Sequence, residues 1–208
     1  MKDIIVIGGG YPDLFDIIED INLKKKKINI IAIVDKKRQI QTNLYGYPVV
    51  KSIKEITSKK NLYIVNGVAS SIKARISVYN ELKKNFTFFN LIHPSIKDKN
   101  FSIGSGNIIC SQVLIGKNCT IGNNNLISPQ VFIGHDSSIS DNCIFGPAAK
   151  IMGFVNIQNS VIIGASSSVL QNLLIKKKST ISIGSVVFNN IEENSVAIGN
   201  PARCIKKN

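Results

Sequence analysis

The sequence predicts a small α/β domain followed by a parallel β-solenoid built from six-residue units, and three observations carry that prediction. Large apolar residues recur at every sixth position from Ile103 to Val187. A glycine triplet, Gly8-Gly9-Gly10, follows directly on the apolar run 4–7. An amphipathic segment and a second apolar run, ending at Asp35, come next.

The repeat governs the second half of the chain. Stepping by six from Ile103 to Val187 meets fifteen large apolar residues, twelve of them isoleucine, without insertion or slip. A period of six is neither the 3.6 of a helix nor the alternation of a hairpin strand. It fits a solenoid in which each hexad forms one flat side, a short strand and a turn. Three hexads close a triangular coil, so each aliphatic points inward and stacks on its equivalent 18 residues away. Fifteen hexads make five coils, roughly 24 Å tall at the usual inter-strand spacing. Glycine follows the aliphatic at 104, 116, 122, 134, 146 and 164. It suits a corner where φ is positive or the backbone is crowded. Four residues after most aliphatics comes a small or β-branched uncharged residue, such as Val113, Cys119, Ser137 or Ala149.

The first ninety residues read differently. Residues 4–7 form a buried-strand run, and Leu14, Ile17, Ile18 and Ile21 lie on one face of a helix that Asp13 is placed to cap. A second strand, Ile28–Val34, ends at Asp35; further strands fall at 62–65 and 87–91, with a helix over 71–84. Strand, glycine turn, helix, strand, acid is the layout of a Rossmann-like βαβ nucleotide-binding unit. The full GxGxxG pattern is not met, because position 13 is Asp, and there is no room for a second mononucleotide half. The expectation is therefore a truncated module holding a nucleotide such as UDP or GDP, not NAD. Asp35 is either an acceptor for a ribose or base, or a solvated strand-end carboxylate. The expected boundaries are 1–92 for this domain, 93–192 for the solenoid and 193–208 for a C-terminal tail.

Bulk properties narrow the class. No run of eighteen apolar residues exists, so no membrane-spanning helix is expected. The run 4–7 is too short for a signal-peptide core, and a cytoplasmic location is expected. Four cysteines, Cys110, Cys119, Cys143 and Cys204, show neither CxxC pairing nor histidines at metal spacing. They read as small buried thiols, reduced in such a compartment, with no metal. The net charge of +13 fits three readings. It is a generally basic solvated surface, a field that steers phosphorylated small molecules inward, or a nucleic-acid surface. Against the last, the lysines are scattered or in short clusters without interleaved aromatics.

The chemistry centres on the repeats. Of two histidines, only His135 lies within them, at the third position of its hexad, beside a corner. Imidazole is the side chain whose unperturbed titration lies nearest neutrality, which suits a general base. Asp136 follows directly and is placed to fix the tautomer or stabilise the imidazolium. Eighteen residues beyond His135 stands Gly153, which leaves space above the base and exposes a backbone N–H. The alternative for His135 is an ordinary corner histidine. His93, before Pro94, reads as a structural residue in the extended segment that enters the solenoid.

With both halves placed, the chain resembles the bacterial family of sialic acid O-acetyltransferases and UDP-amino-sugar N-acetyltransferases. The resemblance rests on Gly8–Gly10, Asp35, Asn66-Gly67-Val68 with Arg75, Ile92-His93-Pro94-Ser95, Gly134-His135-Asp136, Gly153 and Gly199-Asn200-Pro201-Ala202-Arg203. It implies that the solenoid winds left-handed and trimerises, and that the first domain holds a sugar nucleotide through residues such as Gly8, Gly9, Gly10, Asp35, Asn66 and Gly67. It further implies that acetyl-CoA lies between neighbouring solenoids, that Gly153 contacts the acetyl group, and that the 199–207 segment closes over the pantetheine. There Arg203, Lys206 and Lys207 would meet CoA phosphates, the alternative for the two lysines being a solvated basic terminus. The activity implied is acetyl transfer to an amine or hydroxyl of a nucleotide-linked sugar, in surface-glycan biosynthesis. Two departures stand out. The family's second glycine loop is replaced by Gly10-Tyr11-Pro12-Asp13, and its second histidine, nine residues after the first, is Ile144 here. That second departure keeps open a non-catalytic trimeric scaffold.

Overall fold

A computed structural model describes residues 1–24, 27–36, 43–56, 62–96 and 100–206. The chain divides into two compact units, Met1–Pro94 and Ser95–Asn208.

The first unit is a six-stranded sheet with two helices. Its elements are β1 (Lys2–Ile7), α1 (Asp13–Lys24), β2 (Ile28–Val34), β3 (Asn43–Leu44), β4 (Tyr47–Val50), a 3₁₀ turn Ile53–Glu55, β5 (Tyr63–Asn66), α2 (Ile72–Leu82) and β6 (Thr87–Phe88), followed by a short strand β7 (Leu91–Ile92). The sheet order is β3-β4-β2-β1-β5-β6. β1 pairs in parallel with β2 on one side and β5 on the other. The apolar run of β1 is buried because it is central; Ile5, Ile7, Val34, Ile64 and Phe88 form one core cluster. α1 buries Leu14, Ile17 and Ile18, the face that its 3.6-residue period marks.

Some boundaries move. Asp13 lies inside the first turn of α1 rather than before it, and α2 is capped by Ser71, whose Oγ accepts from Ala74 N at 3.3 Å. The stretch 87–91 splits into β6 and β7. The β3–β4 hairpin was not foreseen; it turns on Tyr45 and Gly46, at φ 51° and 80°, the pair of positive angles that a tight hairpin requires.

The second unit is the solenoid. All fifteen hexads form strands, from Phe101–Ile103 to Val186–Val187. They stack in three parallel sheets at an 18-residue offset, as Leu114 pairs with Phe132, Thr120 with Ser138 and Leu126 with Ile144. Inward apolar residues such as Ile127, Ile133, Phe145, Ile151 and Ile163 are fully buried. The fifth hexad position faces the interior, and several of its polar residues bond between coils. Cys119 Sγ donates to Gly134 O at 3.1 Å and Ser137 Oγ to Met152 O at 3.1 Å. The buried Asn107 and Asn125 use their Oδ1 atoms likewise, accepting from Asn125 N at 2.9 Å and Cys143 N at 2.7 Å. The strand Ser195–Gly199 continues one sheet in parallel beside Thr180–Ile181, and Ala202–Lys206 folds back on it antiparallel.

The two reasons offered for the second-position glycines separate cleanly. Positive φ occurs elsewhere, at every sixth residue from Gly106 through Asp136 to Gly184. Crowding is what selects glycine at the second position. A Cβ on Gly134 would stand 2.5 Å from Gly153 N and 2.5 Å from Met152 C of the next coil. The cysteine expectation also needs one correction. Cys110, Cys119 and Cys143 are buried, and burial pushes the Cys143 thiol up to about 12, but Cys204 on the last strand is exposed. Gly134→Ala is expected to destabilise the solenoid by about 1–3 kcal/mol, because backbone cannot yield as a side chain can. Ser140→Ala at the equivalent position should stay within about 0.5 kcal/mol; thermal or denaturant unfolding of the two variants checks it.

Candidate functional site

The corner that carries His135 is built by the hexad itself. Ile133 points inward, Gly134 makes the close approach to the next coil, and His135 emerges at the edge. Asp136 then takes the left-handed conformation, φ 57°, which an aspartate tolerates better than most residues. That turn brings the carboxylate back to the ring: Asp136 Oδ2 lies 2.7 Å from His135 Nδ1. A carboxylate only accepts, so Nδ1 carries the proton, and in the neutral ring Nε2 is the nitrogen that presents a lone pair. From the coil below, Asn118 Nδ2 donates to Asp136 Oδ1 at 3.0 Å. The bonds from His135 and Asn118 hold the Asp136 carboxyl below its usual value.

Above the ring the rung is bare. A Cβ on Gly153 would lie 3.1 Å from both Cε1 and Nε2 of His135, so Nε2 faces the one residue that leaves it room. Phe154 stands edge-on to the imidazole, with centroids 5.1 Å apart and planes at 86°. The imidazole is 60% exposed. The edge thus offers an oriented, solvent-reachable base beside an open rung, the arrangement proton abstraction from an acceptor needs.

The predicted nucleotide residues converge at one end of the first sheet. Gly8 follows β1, Asp35 follows β2 and Gly67 follows β5, so all three lie at the carboxyl ends of adjacent parallel strands where the chain diverges to either side. Asp35 Oδ2 accepts from Gly9 N at 3.3 Å. Gly67 must be glycine, since a Cβ there would stand 2.5 Å from Gly8 O. Together they border a cleft of about 790 Å³, lined also by Gly10, Val34, Lys36, Ser52, Lys54, Ser70, Val78 and Phe86. Asn66 is fully buried behind it, giving Nδ2 to Arg75 O at 3.0 Å and accepting from Val68 N at 3.3 Å. Arg75, equally buried, donates through Nη1 to Asn66 O at 2.7 Å and Val68 O at 3.1 Å, and burial lowers its guanidinium to about 9.

Of the remaining candidates, Asn200 and Pro201 form the turn of the last hairpin, and Gly199, Ala202 and Arg203 lie in the two strands it joins. Gly199 N donates to Ser185 Oγ at 3.1 Å, and Arg203 is exposed. Lys207 lies outside the described residues. His93 is tied to α1 through Nε2···Asp20 Oδ2 at 2.7 Å, a structural role. Ile144 sits in register between Leu126 and Ile162, so this column is apolar. Sequence reasoning missed Asn118 and Phe154. The 18-residue step from Asp136 reaches both. Among the described residues no group of three His, Cys, Asp or Glu could hold a metal, and no helix is long and apolar enough to cross a membrane.

No protein-family model and no curated protein sequence matches the chain. Solved structures do. A perosamine N-acetyltransferase from Caulobacter crescentus, in complex with CoA and GDP-perosamine, is 22% identical, with a TM-score of 0.85 over 100% of this chain and 98% of that one. The acetyltransferase domain of PglB from Neisseria gonorrhoeae, with acetyl coenzyme A, is 20% identical, with a TM-score of 0.86 over 98% and 99%. WeeI from Acinetobacter baumannii is 21% identical, with a TM-score of 0.85 over 99% and 100%. At these identities the likeness establishes the fold of the chain from end to end.

The Asp136 cluster sets a pH dependence. A carboxyl whose folded-state pKa is lowered adds stability above its usual value of about 4, and that contribution is lost as pH falls through the folded value. Acidification from pH 7 to about 3 should therefore lower the melting temperature of the wild type more than that of Asp136→Asn. Calorimetry at both pH values checks it.

Proposed function

We propose that the chain is an acetyl-CoA-dependent acyltransferase that moves an acetyl group onto an amine or hydroxyl of a nucleotide-linked sugar, in surface-glycan biosynthesis. The observation that carries this reading is the His135 edge, where Asp136 fixes the proton on Nδ1 and Gly153 leaves Nε2 open. His135 Nε2 takes the proton from the acceptor as its lone pair attacks the thioester carbonyl. The carbon–sulfur bond then breaks, and CoA leaves as the thiol once protonated by the imidazolium. Asp136 stabilises that imidazolium without becoming protonated itself. Gly153, on the facing rung, supplies the backbone amide for the developing oxyanion.

The cleft of the first unit, which we read as Rossmann-like, holds the nucleotide. Gly8, Gly9, Gly10 and Gly67 allow close backbone approach, Asp35 faces the ribose or base, and Asn66 sets the loop from behind. Lys36 and Lys54 supply positive charge for phosphates. The 199–203 segment, with Arg203, is assigned to acetyl-CoA. Support comes from the solved structures of like fold, one holding CoA with GDP-perosamine and one acetyl coenzyme A. We read the coil as left-handed, the location as cytoplasmic and the assembly as a homotrimer. For the last, Leu114, Phe132, Phe154, Leu170 and Phe188 are exposed along one face and its His135 edge, a surface that a second copy would cover.

The test is CoA release, read with a thiol reagent, from acetyl-CoA and a panel of GDP- and UDP-linked amino sugars plus free sialic acid. One nucleotide-linked acceptor should turn over, and His135→Ala should slow it by about a hundredfold to ten-thousandfold. If no acceptor releases CoA faster than His135→Ala does, the protein is a scaffold and the proposal fails. Asp35→Ala should weaken nucleotide binding by about tenfold, the worth of one charge-assisted hydrogen bond, and leave acetyl-CoA binding unchanged; titration calorimetry separates the two.

A further inference from the structure

The geometry points to Phe154 as a positioning residue for the His135 imidazole, an inference that rests on His135 being the base. Phe154 belongs to the series with positive φ at every sixth residue, its own being 60°. The other non-glycine members are Gln, Asn, Asp, Ala, Ser and Lys, such as Gln112, Asn118, Ala148 and Ser160. Phe154 is the one bulky apolar residue among them, in a conformation that disfavours bulk. It is also 53% exposed within its own chain, so packing inside the solenoid does not repay the strain. A residue held at such a position against its backbone preference marks a local function.

What the side chain does there is visible in its contacts. Its ring meets the imidazole edge-on at 5.1 Å, the favoured geometry for two aromatic rings, while its amide makes only the backbone bond common to these corners, to His135 O at 3.0 Å. The imidazole thus has one polar restraint, Asp136 at Nδ1, and one apolar restraint, Phe154. Gly153 is bare and the imidazole is 60% exposed, so these two contacts are the restraints that orient it. Asp136 alone leaves the ring free to swing about its hydrogen bond. Phe154 removes that freedom, and keeps Nε2 aimed across Gly153.

The chain has only two histidines, so imidazole ¹⁵N spectra taken in a His93→Gln background report His135 alone. Three changes are compared in that background: Phe154→Tyr, Phe154→Leu and Phe154→Asn. Asparagine suits the left-handed backbone, so Phe154→Asn should melt no lower than its parent, which separates positioning from folding. The parent and Phe154→Tyr should show a resolved Nδ1-protonated tautomer at pH 8. Phe154→Leu and Phe154→Asn should draw the two nitrogen shifts together and lower kcat by about ten- to a hundredfold, the effect of loosening a reacting group, with KM for acetyl-CoA little changed. Unchanged His135 shifts in both, or a Phe154→Tyr that behaves like Phe154→Leu, would overturn the proposal. Should His135→Ala retain full turnover, the base assignment falls, and the nitrogen shifts still decide whether Phe154 orients the ring.

Discussion

Everything in the second unit depends on one recurring hydrogen bond, from the amide of a residue to the carbonyl seventeen residues further on. Gly104 N to Ile121 O, Leu114 N to Val131 O and Lys150 N to Ser167 O are examples, at 2.8, 3.0 and 2.8 Å. Strands of two or three residues have no stability of their own. They exist because each coil supplies the donors and acceptors that the next one lacks. The constraint is unforgiving. A slip of one residue would turn every inward aliphatic to solvent, so register is fixed by burial as well as by bonding.

A lattice that rigid converts sequence into columns, and the three edges show what the columns are for. At one edge the third hexad position carries Asn123, Asp141 and Asn159, which bond rung to rung, as in Asn123 N to Asp141 Oδ1 at 2.7 Å and Asp141 N to Asn159 Oδ1 at 2.9 Å. At the second it carries Pro129, Pro147 and Ala165, which fill the corner without polar groups. At the third it carries Lys117, His135, Gly153 and Gln171. The first edge is stapled and the second is sealed. Only the third sets a titratable ring against an empty rung, and the same backbone serves all three.

Much of this was legible in the residues. The six-residue period gave the solenoid, and adding eighteen to His135 gave Gly153, which the structure places against Nε2. The same arithmetic about Asp136 reaches Asn118 and Phe154, but neither residue type advertises a role at a corner. The turn conformation was hidden for a related reason. It falls on the fourth hexad position, where Gly, Asn and Asp make up seven of fourteen residues but Gln, Ala, Ser, Lys and Phe interrupt them, so the signal is diluted, while the more conspicuous second-position glycines answer to crowding. In the first unit, parallel strands announced themselves by apolar runs. The β3–β4 hairpin did not, because Tyr45-Gly46 is a less familiar turn pair. That Asn66 and Arg75 would be buried together, bonding the loop after β5, needs the packing of α2 on the sheet and cannot be read from spacing.

One tension remains within the proposed chemistry, and it locates the catalytic competence of the edge. A base that is 60% exposed shares its surroundings with bulk water, where charge stabilisation is weak and competing hydration strong. Orientation by Asp136 and Phe154 supplies geometry without supplying a dry site. The apolar residues nearby, Phe132, Phe154, Leu170 and Phe188, are themselves exposed. On the trimer reading the two exposures answer each other. Covering that face would bury the apolar surface and remove water from the imidazole in the same step. The stability of the assembly and the environment of the base then become a single quantity, so weakening the face would slow transfer even where every residue of the His135 edge is intact.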